Sequence, residues 1–190
     1  MTNPSLSNEE KQLLIKLARQ SIVLAVGHQQ LPVLNLNDYS PLLREPGAAF
    51  ITLTENGELR GCIGALEPYQ PLIEDVREHA VAAALEDYRF PPVRPEEVKE
   101  LEIEVSRLTL PQPLEYQTGQ DLIKKLHPAV DGVILRDGMR RATFLPQVWE
   151  KIPDPADFLS QLCLKMGAPH DLWQRKKLQV FTYQVEEFHE

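Results

Sequence analysis

The chain has 190 residues, 43% of them hydrophobic and 25% charged, an ordinary globular composition that excludes a disordered, collagenous or coiled-coil polypeptide. Twenty Lys and Arg against 28 Asp and Glu leave a net charge of −8 with no basic block, which argues against nucleic-acid binding through phosphate neutralisation. No window approaches the roughly 18 apolar residues of a membrane span, and the amino terminus has no signal pattern. Two widely separated cysteines, Cys62 and Cys163, make no disulfide framework and predict a cytoplasmic protein.

Ser7 and Glu10 form a capping box, and Leu13, Leu14, Leu17, Ala18, Ser21, Leu24 and Ala25 continue at helical spacing to a stop at Gly27. Residues 28–47, with Pro32, Pro41 and Pro46, read as a covering loop in which His28 is a solvated helix-end residue. Two apolar runs, 48–54 and 59–64, flank Asn56-Gly57, a hairpin signal because a type I′ turn needs positive φ at both central residues. A second helix is predicted over 72–87 and a strand over 101–110. The alternation of that strand changes phase after Ser106, which predicts a bulge near Arg107.

The second half follows the same plan: a helix over 119–126 capped by Thr118, a hairpin over 133–145 turned at Asp137-Gly138, helical segments at 147–151 and 157–166, and a closing strand over 179–188. Aligning the two turns sets Gly57 on Gly138, Arg60 on Arg141 and Cys62 on Thr143. The expected class is α+β, mostly antiparallel, with an internal duplication in one domain over 7–188, its halves about 7–110 and 118–188.

The glycine cluster Gly57, Gly61 and Gly64 draws attention to the strand 59–64. Alternation places Arg60, Cys62 and Gly64 on one face, where a guanidinium two residues from a thiol favours the thiolate. Gly61 and Gly64 leave room for a ligand or a neighbouring strand. The plainer alternative is a small buried thiol in a tightly packed strand. Glu102, Glu104 and Ser106 share a face of their strand, as do Arg141 and Thr143. They either converge with Cys62 in a cleft or form the solvent side of their sheets. In the run Asp87-Tyr88-Arg89-Phe90, Arg89 is either an anion clamp or a staple paired with Asp87 at the helix end. His79 lies on an apolar face and reads as a core histidine. With no zinc, iron–sulfur, Walker, dinucleotide or serine-elbow motif, no metal site or other cofactor has local support.

Five ordered motifs carry a resemblance: LRGCIG (59–64), the stretch ending in RFPP (80–92), EVS (104–106), DG-x-x-L (131–135) and ATFLPQV (142–148). Together they resemble the AMMECR domain family, whose prokaryotic members are known as AmmeMemoRadiSam system protein A, over roughly residues 10–188. The resemblance implies two related α/β halves sharing one barrel-like sheet. It further implies a place beside a Memo-like protein and a radical SAM protein as partners. Arg60, Gly61, Cys62, Gly64, Asp87, Arg89, Phe90, Glu104 and Ser106 are the motif residues it brings, without a catalytic role for any of them. Two expectations stand side by side: a small-molecule or modification site around Cys62, or a docking module for one of those partners without chemistry of its own.

Overall fold

The computed structural model describes residues 4–190. Two compact units emerge, one running to Thr109 and taking in Glu186–Glu190, the other spanning Leu110–Val185.

In the first unit the predicted capping box is present: the Ser7 hydroxyl accepts from the Glu10 amide (3.2 Å), and the Glu10 carboxylate accepts from the Ser7 amide (2.7 Å). Helix α1 (Asn8–Val26) buries Leu14, Ile15, Ala18, Ile22 and Val26. Gly27 caps it, but the left-handed residue is the exposed His28 (φ 54°). A short α2 (Pro41–Arg44) leads to strands β1 (Pro46–Glu55) and β2 (Glu58–Gly64), joined by Asn56 (φ 54°) and Gly57 (φ 80°), the predicted I′ pair. After the two-residue β3 (Gln70–Pro71) comes α3 (Leu72–Leu85), then β4 (Leu101–Leu108). Ala49, Ile51 and Leu53 of β1, with Ile103 and Val105 of β4, pack against α1 and α3 in one core. Phe50, Thr52 and Thr54 alternate to the other face of the sheet.

In the second unit the chain runs β5 (Gln112–Pro113), α4 (Gly119–Lys125), β6 (Gly132–Asp137), β7 (Arg140–Phe144), α5 (Pro155–Lys165), α6 (Leu172–Arg175) and β8 (Gln179–Tyr183). Its core is separate, centred on Phe158, Leu159, Leu162, Cys163 and Trp173, with Trp149 stacked on Phe158 at 3.7 Å. The segment 179–188, predicted as one strand, is two. After β8 the chain enters β9 (Val185–His189), whose Glu186 is held in the first unit by Lys11 (2.8 Å) and Arg107 (3.2 Å).

The strands form two antiparallel sheets, ordered β2-β1-β4-β9, with β3 on β1, and β5-β8-β6-β7. The expected single barrel-like sheet is therefore corrected: among the described residues both sheets are open, with β2 and β9, or β5 and β7, at their edges. The predicted bulge near Arg107 is also absent, since β1 and β4 pair in unbroken register from Ala48↔Leu108 to Glu55↔Leu101. Arg107 is buried, and its pairing with Glu186 and the Pro4 carbonyl (2.9 Å) is what makes that tolerable. A buried, neutralised arginine therefore accounts for the change of phase. The irregularity falls in β2 instead, where Thr54 faces Leu59 and Leu53 faces Gly61, leaving Arg60 as the extra residue.

Candidate functional site

Cross-strand register sets Cys62 of β2 opposite Thr52 of β1, and Thr52 opposite Glu104 of β4. The next row is Gly64, Phe50 and Ser106. Side chains in register across a sheet share a face, so Cys62, Thr52, Glu104 and Ser106 form one small polar field. The Thr52 hydroxyl donates to the Cys62 thiol (3.4 Å), and Ser106 donates to Glu104 (3.4 Å).

At Cys62 the outer edge of β2 is occupied by two side chains rather than by another strand. Asp87 accepts the Cys62 amide (2.8 Å), and Arg89 donates to the Cys62 carbonyl (3.2 Å). The two lock together through Nε–Oδ1 (2.9 Å) and Nη2–Oδ2 (2.6 Å), a bidentate fork. Asp87 is buried while the Arg89 side chain is 43% exposed. The Arg89 guanidinium, and then the Cys62 amide, hold the Asp87 carboxyl well below the usual carboxylate range against the opposing effect of burial. Arg89 in turn is pushed up, chiefly by its hydrogen bonds to Asp87. Of the two readings of this run, the staple describes the geometry, and it secures β2 as well as the helix end.

Arg60 is placed differently from its expectation. The extra residue in β2 interrupts strict alternation, and the guanidinium engages Glu97 (3.3 Å for both Nε and Nη2). Glu97 had no signal in the sequence beyond an i+3 pair with Arg94, which also binds it (3.3 Å). The two glycines accommodate protein. A Cβ on Gly61 would stand 2.1 Å from the Ala83 carbonyl oxygen of α3, and one on Gly64 would meet the Phe50 ring at 2.5 Å. Arg141 and Thr143 belong to β7 of the second unit, where Thr143 bonds the Tyr183 hydroxyl (3.0 Å).

His79 is a core histidine, as its apolar face predicted, and it comes with a partner the sequence reading passed over. Asp75, one turn earlier and fully buried, accepts the Ala49 amide (2.8 Å) and stands 3.2 Å from His79 Nδ1. The i,i+4 spacing was a visible signal. Burial disfavours the imidazolium, but the Asp75 carboxylate outweighs it and raises the His79 pKa above its ordinary value. A raised folded-state pKa contributes stability that is complete below the unfolded pKa of about 6.5 and disappears as pH rises through the folded value. Urea titrations of the native protein and His79→Gln are expected to show a stability difference that is full below about pH 6.5 and shrinks as the pH rises above it.

The two cysteines differ in burial. Cys163 is fully buried in α5, and burial pushes its thiol up, whereas Cys62 is partly exposed. Iodoacetamide at neutral pH is expected to alkylate Cys62 before Cys163, read by peptide mass mapping over a time course. Among the described residues no group of three or more His, Cys, Asp or Glu is placed to hold a metal ion, and no helix is long and apolar enough to cross a membrane.

The AMMECR1 family model matches residues 15–188. The chain belongs to the AMMECR1 family. It is 38% identical over 193 residues to a protein of Methanothermobacter thermautotrophicus, covering 97% of this chain and 96% of that one. Protein MK0488 of Methanopyrus kandleri is 38% identical over 195 residues, covering 97% and 90%. The crystal structure of uncharacterized protein PH0010 from Pyrococcus horikoshii matches with a TM-score of 0.76 and 34% identity, covering 97% of this chain and 93% of that one. Sequence and fold similarity thus extend over nearly the whole chain.

Proposed function

We propose that this AMMECR1-family protein is a cytoplasmic accessory component of a radical SAM- and Memo-associated pathway, acting through a small-molecule or modification site around Cys62. The pathway assignment rests on the sequence resemblance. The carrying observation for the site is how Cys62 is held. Its amide and carbonyl are both fixed by the Asp87–Arg89 fork, and the residue stays partly exposed, its thiol beside Thr52. A nucleophile or ligating atom benefits from a backbone that cannot move. Arg89, rather than Arg60, is the guanidinium that contacts Cys62, through its carbonyl oxygen.

The docking reading has its own support in Tyr88, 94% exposed beside Arg89. Exposed aromatic and arginine side chains are the residue types that anchor protein interfaces. Replacement of Cys62 by Ser separates the two. Loss of pathway output with Memo-like or radical SAM partner binding intact supports chemistry at the thiol. Unchanged output, or loss of partner binding together with output, supports docking.

A repeated plan in the two units belongs to the same reading. In each sheet the first hairpin strand, β1 or β6, lies between the second hairpin strand and a later antiparallel strand. The extra residue Arg60 offsets the one-residue difference between the Asn56-Gly57 and Gly138-Met139 turns. Cys62 opposite Thr52 and Thr143 opposite Ile134 are then matching register positions.

A further inference from the structure

A second candidate site lies against α1, and Cys62 does not line it. A cavity of about 400 Å³, within the range of small-molecule sites, is walled by Leu17, Val23 and Leu24 of α1, roofed by Pro32 and Leu34 of the following loop, and reached by Arg77 of α3. Apart from Gln20 and Ser21, whose hydroxyl is bonded to the Leu17 carbonyl, its walls between the arginines are apolar, so an occupant would place a hydrocarbon or aromatic body there.

The charges at the rim decide what else the occupant carries. Arg19 also borders the cavity, but its guanidinium is spent on the Val98 carbonyl (2.5 Å), the Leu101 carbonyl (2.5 Å) and the Glu190 carboxylate. Arg77 makes one hydrogen bond, from Nη1 to the Pro32 carbonyl (2.9 Å), and pairs with no carboxylate among the described residues. In a chain of net charge −8, a half-buried guanidinium without an anion at the mouth of an apolar cavity has four N–H donors left to offer. An adjoining cavity of about 480 Å³ under Pro95 and Val98 lacks this feature, because its cations are the committed Arg19 and Lys99, which pairs with Glu100 (3.4 Å).

We propose that the cavity beside Arg77 binds a small amphipathic carboxylate, with its apolar body between α1 and the 32–34 loop and its carboxylate on the Arg77 guanidinium. Planar, forked donors match a carboxylate in two parallel hydrogen bonds. The Arg77–Pro32 bond also holds the roof, so an anion on Arg77 adds to an existing tether rather than displacing a salt bridge. Nothing in this proposal depends on the role of Cys62.

Octanoate is the probe, with octanol and acetate as its uncharged and bodiless counterparts. Methyl-resolved NMR titration of the full chain is expected to show octanoate shifting Leu24 and Leu34, octanol binding about tenfold more weakly, and acetate shifting neither. Arg77→Leu should weaken octanoate by about the same factor, and Arg77→Lys, which keeps the charge but loses the fork, should fall between Arg77→Leu and the native protein. Cys62→Ser should leave the titration unchanged. Equal affinity for octanol and octanoate, or octanoate shifts that bypass Leu24 and Leu34, would overturn the proposal. Should Arg77→Leu fail to fold, the octanoate–octanol comparison on the native protein decides alone.

Discussion

Gly61→Ala is expected to cost about 3 kcal/mol or more in urea unfolding, the upper range for overpacking a tight interior. The added methyl would stand 2.1 Å from the Ala83 carbonyl oxygen and 3.1 Å from its carbon. Both are backbone atoms in the last turns of α3, and no rotamer change moves them aside. β2 must instead lift from α3, and it carries Cys62 with it. Alkylation of Cys62 should therefore accelerate in the variant at temperatures where it is still folded. Unchanged stability would mean that β2 and α3 are farther apart than described. The contrasting control is Gly57, where nothing lies within 4 Å and the cost of alanine comes only from its φ of 80°.

The second large effect is at Asp87. Asp87→Ala removes one carboxylate and leaves the part-buried amide of Cys62 without its acceptor and Arg89 without its partner. A loss of about 2–4 kcal/mol is expected from orphaning such groups. The pH dependence supplies an independent signature. Because Arg89 lowers the folded-state pKa of Asp87, its contribution is present above the unfolded value of about 3.9 and is lost as pH falls below it. Asp87→Asn should accordingly lose part of the acid sensitivity of the native protein, read as a smaller stability difference at about pH 3 than at pH 7. A difference that stays constant with pH would separate Asp87 from the ionic role assigned to it. Arg89→Ala should also lower the melting temperature, by less, since its guanidinium is substantially exposed.

Much of the local structure was legible because local structure has local causes. Ser7 and Glu10 cap α1 through atoms three residues apart, and Asn56-Gly57 turns the first hairpin because those two residues tolerate positive φ. The contrast between Cys62 and Cys163 was visible for the same reason, since periodicity alone puts Cys163 on the buried stripe of α5. Family membership was legible too, carried by short motifs along most of the chain.

What needed the tertiary structure were the partners of charged groups. Alternation predicted Arg60 beside Cys62, but a single extra residue in β2 interrupted the period, and Glu97, distant in sequence, took the guanidinium. The phase change at Arg107 looked like a bulge because an arginine on a core face is costly; Glu186, far along the chain, removes that cost. The strand over 179–188 read as one run because both pieces alternate, and only the separate pairings of β8 and β9 divide it. By itself the sequence determined most of the elements, the first hairpin turn and which residues are small, apolar or ionisable, whereas the second hairpin turns one residue later than expected, at Gly138-Met139. The tertiary structure decided which ionisable groups meet, because burying a charge is tolerated only where the fold delivers its counter-charge, and that delivery is a long-range event no local pattern encodes.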